Sequence, residues 1–445
     1  MTYKLIFFLL FSTPICLAQT WEPLGNGIVS DNAVVRSIEK YDNKIFVGGN
    51  FTRQDGAAYD LIASWSITTG WQNVGGGIQN QLSSIFPGVL ALKAYQSKLY
   101  VGGYFWDGGE NNYLTCWTPT LGWHQDSLQS SGAVRTLNIL NDKLIGGGVG
   151  NVQSPAHRLI AWDGTQRTIF GGGIISNGQQ NNGLYTSFVD GDDLYVGGQF
   201  SNAGGQVAHN IAKWNGTNWD NMGGGLNGYI LSIAEYQGYI YAAGNFTATA
   251  DGLTPLHSHL ARWNGTNWEP SPFLIDNVGA LHPVICMVKF KNELWLGGYI
   301  PYVNGIATNN LIVYDGNICR SAGNLNGDVG VMTLIDSSLY IGGSFRTING
   351  TMVNHIARYT PFTNTSVQNT HNLLKITPNP FNNYIEIKGL TESTVMKIYT
   401  ATGQLFLQKN TNNSTIIDTS DWVAGVYFMQ FFINNTIQSS KIIKL

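Results

Sequence analysis

Two clusters of side-chain oxygens are the first candidates for chemistry in this chain. In Asp107-Gly108-Gly109-Glu110-Asn111, a glycine-rich segment brings Asp107 and Glu110 close enough to offer Ca2+ the hard carboxylate ligands it takes. Asp190-Gly191-Asp192-Asp193 offers similar oxygens. It lies between two apolar runs, however, where Asp and Gly serve a tight turn. His157, His209, His259 and His355 each stand just ahead of an apolar run, one per repeat unit. That dispersal keeps them from sharing an ion, whose His nitrogens sit near ~2 Å, and they read as hydrogen-bonding residues at loop ends. His257 and His259 alternate and could both face a ligand. Tyr59, Trp106, Tyr113 and Tyr302 fall in polar loops, where a ring could stack on a sugar or a peptide.

Signatures of catalysis are missing from the sequence. There is no nucleophile elbow, no His-Glu-x-x-His and no phosphate-cradling loop. No carboxylate pair is marked for glycoside cleavage, and no catalytic residue is singled out. With a net charge of −3 and no basic stripe, the chain lacks what a phosphate backbone requires, so nucleic acid is not an expected partner.

The elements that must position these residues are strands. Charged residues make up only 11% of the 445, against about 25% in an ordinary soluble domain. There are 54 glycines, and aromatics reach 12%, a composition suited to a turn-rich all-β protein. An apolar strand running into paired glycines recurs, as in Ile45-Phe46-Val47-Gly48-Gly49, Leu99-Tyr100-Val101-Gly102-Gly103 and Leu194-Tyr195-Val196-Gly197-Gly198. The pair returns at Gly147, Ala243, Gly297 and Gly342, giving seven copies 45 to 54 residues apart. Each copy has an apolar run, a polar turn, the glycine strand, a loop and a third strand ending in an aromatic. A second Trp follows in most (Trp65/Trp71, Trp117/Trp123, Trp214/Trp219, Trp263/Trp268).

Four short strands per repeat at this period are the mark of a β-propeller blade. The last copy stops at Tyr359 without a fourth strand, whereas Trp21-Glu22-Pro23-Leu24-Gly25 reads as a fourth strand without the first three. The expected fold is therefore a seven-bladed β-propeller with four-stranded blades, closed by the N-terminal strand. The double glycine and the spaced aromatics resemble kelch-type repeats over residues 19–360. Arg167 and the stretch after Tyr314 depart from the second-Trp pattern. The resemblance implies a propeller and no particular activity.

The ends carry routing signals. Lys4, the apolar run Leu5 to Phe11 and Cys16-Leu17-Ala18 read as a signal peptide over residues 1–18. No other stretch reaches the roughly 18 apolar residues of a transmembrane segment. Cys116, Cys286 and Cys319 remain, an odd number that reads as free thiols. Residues 361–372 form a Thr- and Asn-rich linker. From 373 to 445 short alternating strands predict a small β-sandwich. This tail resembles the type A C-terminal sorting domain of the type IX secretion system. The resemblance rests on Pro378-Asn379-Pro380, the hairpin at Gly403, Gly425 and Tyr427, and the terminal segment with Lys441 and Lys444. It implies the type IX machinery as a partner, passage across an outer membrane, and release or attachment to surface lipopolysaccharide.

The expectation is an exported module at or released from the cell surface that binds glycan or protein ligands. A carbohydrate-active enzyme on a propeller scaffold and a structural surface protein are the alternatives. No cofactor is expected beyond Ca2+ at the acidic loop.

Overall fold

A computed structural model describes the chain from Trp21 to Leu445. It leaves out residue 31, 52–60, 79–87, 107–111, 125–129, 131, 150–158, 177–181, 257–258, 277–283, 361–374, 389–393, 401–403, 412–413 and 434–435. The chain divides into one unit spanning Trp21–Thr360 and a second containing Pro361–Leu445.

Among the described residues the first unit holds seven four-stranded antiparallel sheets in a propeller-type arrangement. Their inner strands are Val34–Tyr41, Gly88–Tyr95, Val134–Leu140, Gly183–Asp190, Ile230–Tyr236, Val284–Phe290 and Val329–Ile335. Successive inner strands pack on one another, and the seventh packs on the first. Strand order follows the chain in sheets one to six. In sheet seven the outermost strand is Trp21–Pro23, antiparallel to Ile356–Tyr359 with Trp21 opposite Tyr359.

The paired glycines do two different jobs. The first makes room for the aliphatic residue that opens the next sheet. A Cβ on Gly48 would stand 2.3 Å from Val89 Cγ1, and one on Gly342 would stand 2.3 Å from Val35 Cγ1. The second faces the inner strand of its own sheet, where the Val34 carbonyl oxygen would be 2.1 Å from a Cβ on Gly49. Both distances are far inside van der Waals contact, so glycine is required at Gly48, Gly342 and Gly49, whereas sheet five carries Ala243 at the first position.

The second tryptophans tie sheet to sheet. The indole N–H groups of Trp71, Trp123, Trp219 and Trp268 donate to Leu24, Val74, Gly171 and Met222 carbonyls of the preceding sheet, at 2.7 to 3.1 Å. Trp21 does the same for sheet seven, donating to Ala322 O at 2.9 Å. Each ring fills the gap between two sheets while its one polar atom is satisfied, the condition for burying an indole at low cost.

A residue with left-handed φ precedes the third strand in five sheets, Leu61, Asn210, His259, Asn310 and His355, and Tyr113 takes the same conformation as the second residue of the third strand Asn112–Thr118. Three of these bridge to the chain entering the next sheet. Asn210 donates to Leu226 O at 2.8 Å, Asn310 to Gly327 O at 3.2 Å, and His355 Nε2 lies 3.2 Å from Ser30 O. His355 is buried. Burial is the main cause that holds its imidazole below the usual histidine range. Its pKa is lower folded than unfolded, so as pH falls through about 6.5 the unfolded chain binds the proton first. Stability contributed by neutral His355 is therefore intact above that pH and lost below it. Tm should drop between about pH 7.5 and pH 5.5, and His355→Asn, the residue used in the sister sheets, should flatten that slope in thermal unfolding.

In the second unit, Lys375–Thr377, Tyr384–Lys388 and Ser414–Asp418 form one sheet. Thr394–Thr400, Leu405–Thr411, Gly425–Ile433 and Thr436–Lys444 form another. Ile385, Ile387 and Ile417 of the first and Met396, Ile398, Tyr427 and Met429 of the second share one core, the packing of a small sandwich.

Candidate functional site

The seven inner strands share an irregularity at their opening ends. One extra residue interrupts the pairing between Val35 and Ser37, Val89 and Ala91, Val134 and Thr136, Leu184 and Thr186, Ile230 and Ser232, Val284 and Cys286, and Val329 and Val331. Such a bulge leaves its extra residue unpaired and re-aims the side chain. The residues so presented are Arg36, Leu90, Arg135, Tyr185, Leu231, Ile285 and Gly330. Each is more open to water than the buried residue before it. The second glycine of the repeat lies opposite the bulge, where the inner-strand carbonyl presses closest.

Two bulge residues are cationic and one is aromatic. The Arg135 guanidinium sits over the Tyr185 ring, 4.6 Å from its centroid. Tyr185 meets Tyr229 edge-on at 5.7 Å and 70°, and its hydroxyl donates to Gln199 Oε1 at 3.3 Å. Arg135 Nε is buried and has no hydrogen-bond partner among the described residues. Burial lowers the pKa of both guanidiniums, and the charge of Arg135 lowers that of Arg36 further. Arg36 is exposed to water. Arg36, Arg135, Tyr185 and Tyr229 thus form a cationic and aromatic arc across sheets one, three, four and five. Chemically it can hold an anion and a flat apolar surface side by side.

The residues expected from sequence lie elsewhere. Tyr59, His257, Asp107 and Glu110 fall outside the described residues, as does Gly403. Trp106 ends a strand opposite Asn112. Tyr113 is half-buried against Tyr104, with ring centroids 6.0 Å apart. His259 is half-buried at the equivalent turn of sheet five. Tyr302 is 43% exposed in a small three-stranded sheet, between Asp276 and Ala307. Tyr113, His259 and Tyr302 belong to loops of three different sheets. Asp190 and Asp193 close a hairpin, and Asp193 takes Lys213 Nζ at 2.7 Å. No group of three metal-ligating side chains occurs among the described residues.

The arc escaped the sequence reading because one extra residue does not disturb an apolar run such as Val34-Val35-Arg36-Ser37-Ile38. The usable signal was register. The bulge residue stands twelve positions before the first paired position in each copy, as Arg36 before Gly48, Arg135 before Gly147 and Gly330 before Gly342.

In the second unit the expected sorting residues converge on the terminal strand. Asn379 Nδ2 donates to Lys441 O at 2.8 Å, and its Oδ1 accepts from Ile443 N at 2.9 Å. Pro378 and Pro380 flank it. Lys444 is buried with its amine on the Asn382 carbonyl. Gly425 and Tyr427 pair with Lys444 and Ile442. Tyr427 also donates to Val423 O at 2.9 Å and packs on Trp422 and Phe406.

Residues 375–445 match the model of the secretion system C-terminal sorting domain. No curated protein matches the chain. Solved structures similar to it include PorZ, described as an essential surface component of the type IX secretion system of Porphyromonas gingivalis. Identity to PorZ is 12% and the TM-score 0.43, covering 92% of this chain and 59% of that one. The chain thus spans about three-fifths of the length of PorZ. The β-propeller domain of the trilobed protease from Pyrococcus furiosus is 11% identical, with 74% and 94% covered and a TM-score of 0.44. The computationally designed Ika8 protein is 12% identical, with 95% and 100% covered and a TM-score of 0.42. Among the described residues no helix is long and apolar enough to cross a membrane. Residues 375–445 are a C-terminal sorting domain of the type IX secretion system, and the protein is secreted by that route to the cell surface or the extracellular medium.

Proposed function

We propose that residues 19–360 are a closed, kelch-like seven-bladed propeller that serves as a binding module for glycan or protein ligands outside the cell. In this reading residues 1–18 are removed on export, and the mature protein is released or held on surface lipopolysaccharide. Closure is supported by the pairing of Trp21–Pro23 with Ile356–Tyr359 and by the fit of Val35 against Gly342. The inner strands then surround a central channel, with the seven bulges at its mouth.

The observation that carries the binding function is the arc of Arg36, Arg135, Tyr185 and Tyr229. Its arginines neither fill the core nor pair with carboxylates among the described residues, unlike Arg262, Arg320 and Arg358, which reach Glu269, Glu293 and Glu22. A buried guanidinium nitrogen without a hydrogen-bond partner, as Arg135 Nε is among the described residues, costs stability, and a ligand that satisfied it would recover that cost. The secreted protein should retain ligands on an array of surface glycans and proteins, and Arg135→Ala with Tyr185→Ala should abolish retention at unchanged Tm. Retention indifferent to the double variant, or turnover of a retained glycan, would contradict a binding module working through this arc.

A further inference from the structure

The ligand class of that arc can be named, an inference that rests on the binding-module reading above. We propose that Arg36 and Arg135 hold the acidic group of a carboxylate- or sulfate-bearing sugar in a polysaccharide, with Tyr185 and Tyr229 taking the face of a sugar ring.

Like charges brought together without a counter-ion repel, and an anion between them reverses that energy. Arg36 and Arg135 occupy the same bulge register on sheets one and three, with apolar Leu90 at that register on sheet two. No side chain of the intervening bulge neutralises them. Asp328, which precedes the bulge strand of sheet seven, is raised by burial alone, with neither arginine contributing. The geometry of Arg135 is also that of a reader. The Tyr185 ring holds the guanidinium carbon 4.6 Å from its centroid. Nε remains buried without a partner among the described residues. A planar fork held this way suits two oxygens of a carboxylate or a sulfate, whereas a lysine would supply only a point charge.

The aromatic half offers a sugar ring a surface to pack on. Tyr185 and Tyr229 meet edge-to-face and both are half-buried, so aromatic surface continues away from the cation for an apolar ring face. Two cations on a chain of net charge −3 are too few for a nucleic-acid backbone.

The test uses the full secreted protein in titration calorimetry at two salt concentrations. The probes are an oligogalacturonate, a sulfated dextran, neutral dextran and polyglutamate. The carboxylated or the sulfated sugar should bind, and which of them binds identifies the acid group. Neutral dextran and polyglutamate should bind at least tenfold more weakly. Arg135→Gln and Arg36→Gln should each weaken acidic-sugar binding tenfold or more, and Arg135→Lys should not restore it. Leu90→Asp guards against simple unfolding. It places a carboxylate at the bulge register of the sheet between those of the two arginines, so it should abolish binding while Tm holds or rises. Neutral dextran bound as tightly as the acidic sugars, insensitive to the arginine variants, would overturn the acidic class and leave the binding module standing. Polyglutamate bound as tightly as oligogalacturonate would overturn the sugar assignment. Binding that survives Leu90→Asp would overturn the site, and no binding to any glycan would overturn the glycan reading altogether.

Discussion

Replacing Trp21 with alanine should lower the stability of the propeller unit by about 3 kcal/mol, within the range for truncating large aromatics in packed sites. Trp21 lies 5.2 Å from the Tyr359 ring and 6.3 Å from Trp295, and its indole donates to Ala322 O. The variant loses apolar contact on two sides and the indole's hydrogen bond to the Ala322 carbonyl. Excising Trp21–Leu24 should be more severe. It removes the partner of Ile356–Tyr359 and exposes a strand edge that invites intermolecular pairing. It also takes away the Leu24 carbonyl that receives Trp71. Thermal unfolding with size-exclusion chromatography should report a large drop in Tm and soluble aggregates. Trp71→Phe, which gives up one hydrogen bond, should cost only about 1 kcal/mol. An excised chain that stayed monomeric at the wild-type Tm would refute the closing role of this strand.

Removing residues 373–445 should abolish delivery, leaving a folded propeller unit inside the outer membrane. Residues 375–445 carry the sorting domain, and the first unit has a core of its own, so the loss should be of routing alone. Within the tail, Asn379→Ala should give a partial defect. Asn379 reaches the terminal strand through both ends of its amide, and no other side chain supplies that pair of bonds among the described residues. Fractionation of cells and medium, with antibody against the propeller unit, measures both. Undiminished arrival of the truncated chain in the medium would remove the tail from the export pathway.

How far the sequence could be read depends on whether a feature repeats or interrupts a repeat. The glycine pairs, spaced tryptophans and incomplete first and last copies were legible because every sheet must solve the same packing problem with similar residues. Gly48 and Gly342 meet Val89 and Val35 in the same way, some 300 residues apart. Of the histidines read as loop-end hydrogen bonders, His355 makes such a bond, to Ser30 O, whereas in sheet four Asn210 rather than His209 makes the bridge and His157 lies outside the described residues. The bulge was not legible. Arg36 and Arg135 sit inside runs whose alternation continues around them, and only the strand pairing reveals a residue without a partner. Of the aromatic residues chosen from loops, Tyr113 and Tyr302 lie on different sheets, whereas Tyr185 and Tyr229 stand at the opening ends of inner strands and meet.

The most direct measurement of where this protein meets its ligand is hydrogen–deuterium exchange of the full secreted chain with and without oligogalacturonate. The arc predicts slowed exchange in residues 34–37, 134–137, 184–187 and 229–232, with the hairpins at 202–207, 302–307 and 347–352 unchanged. Protection confined to those hairpins, with the bulges unaffected, would contradict it.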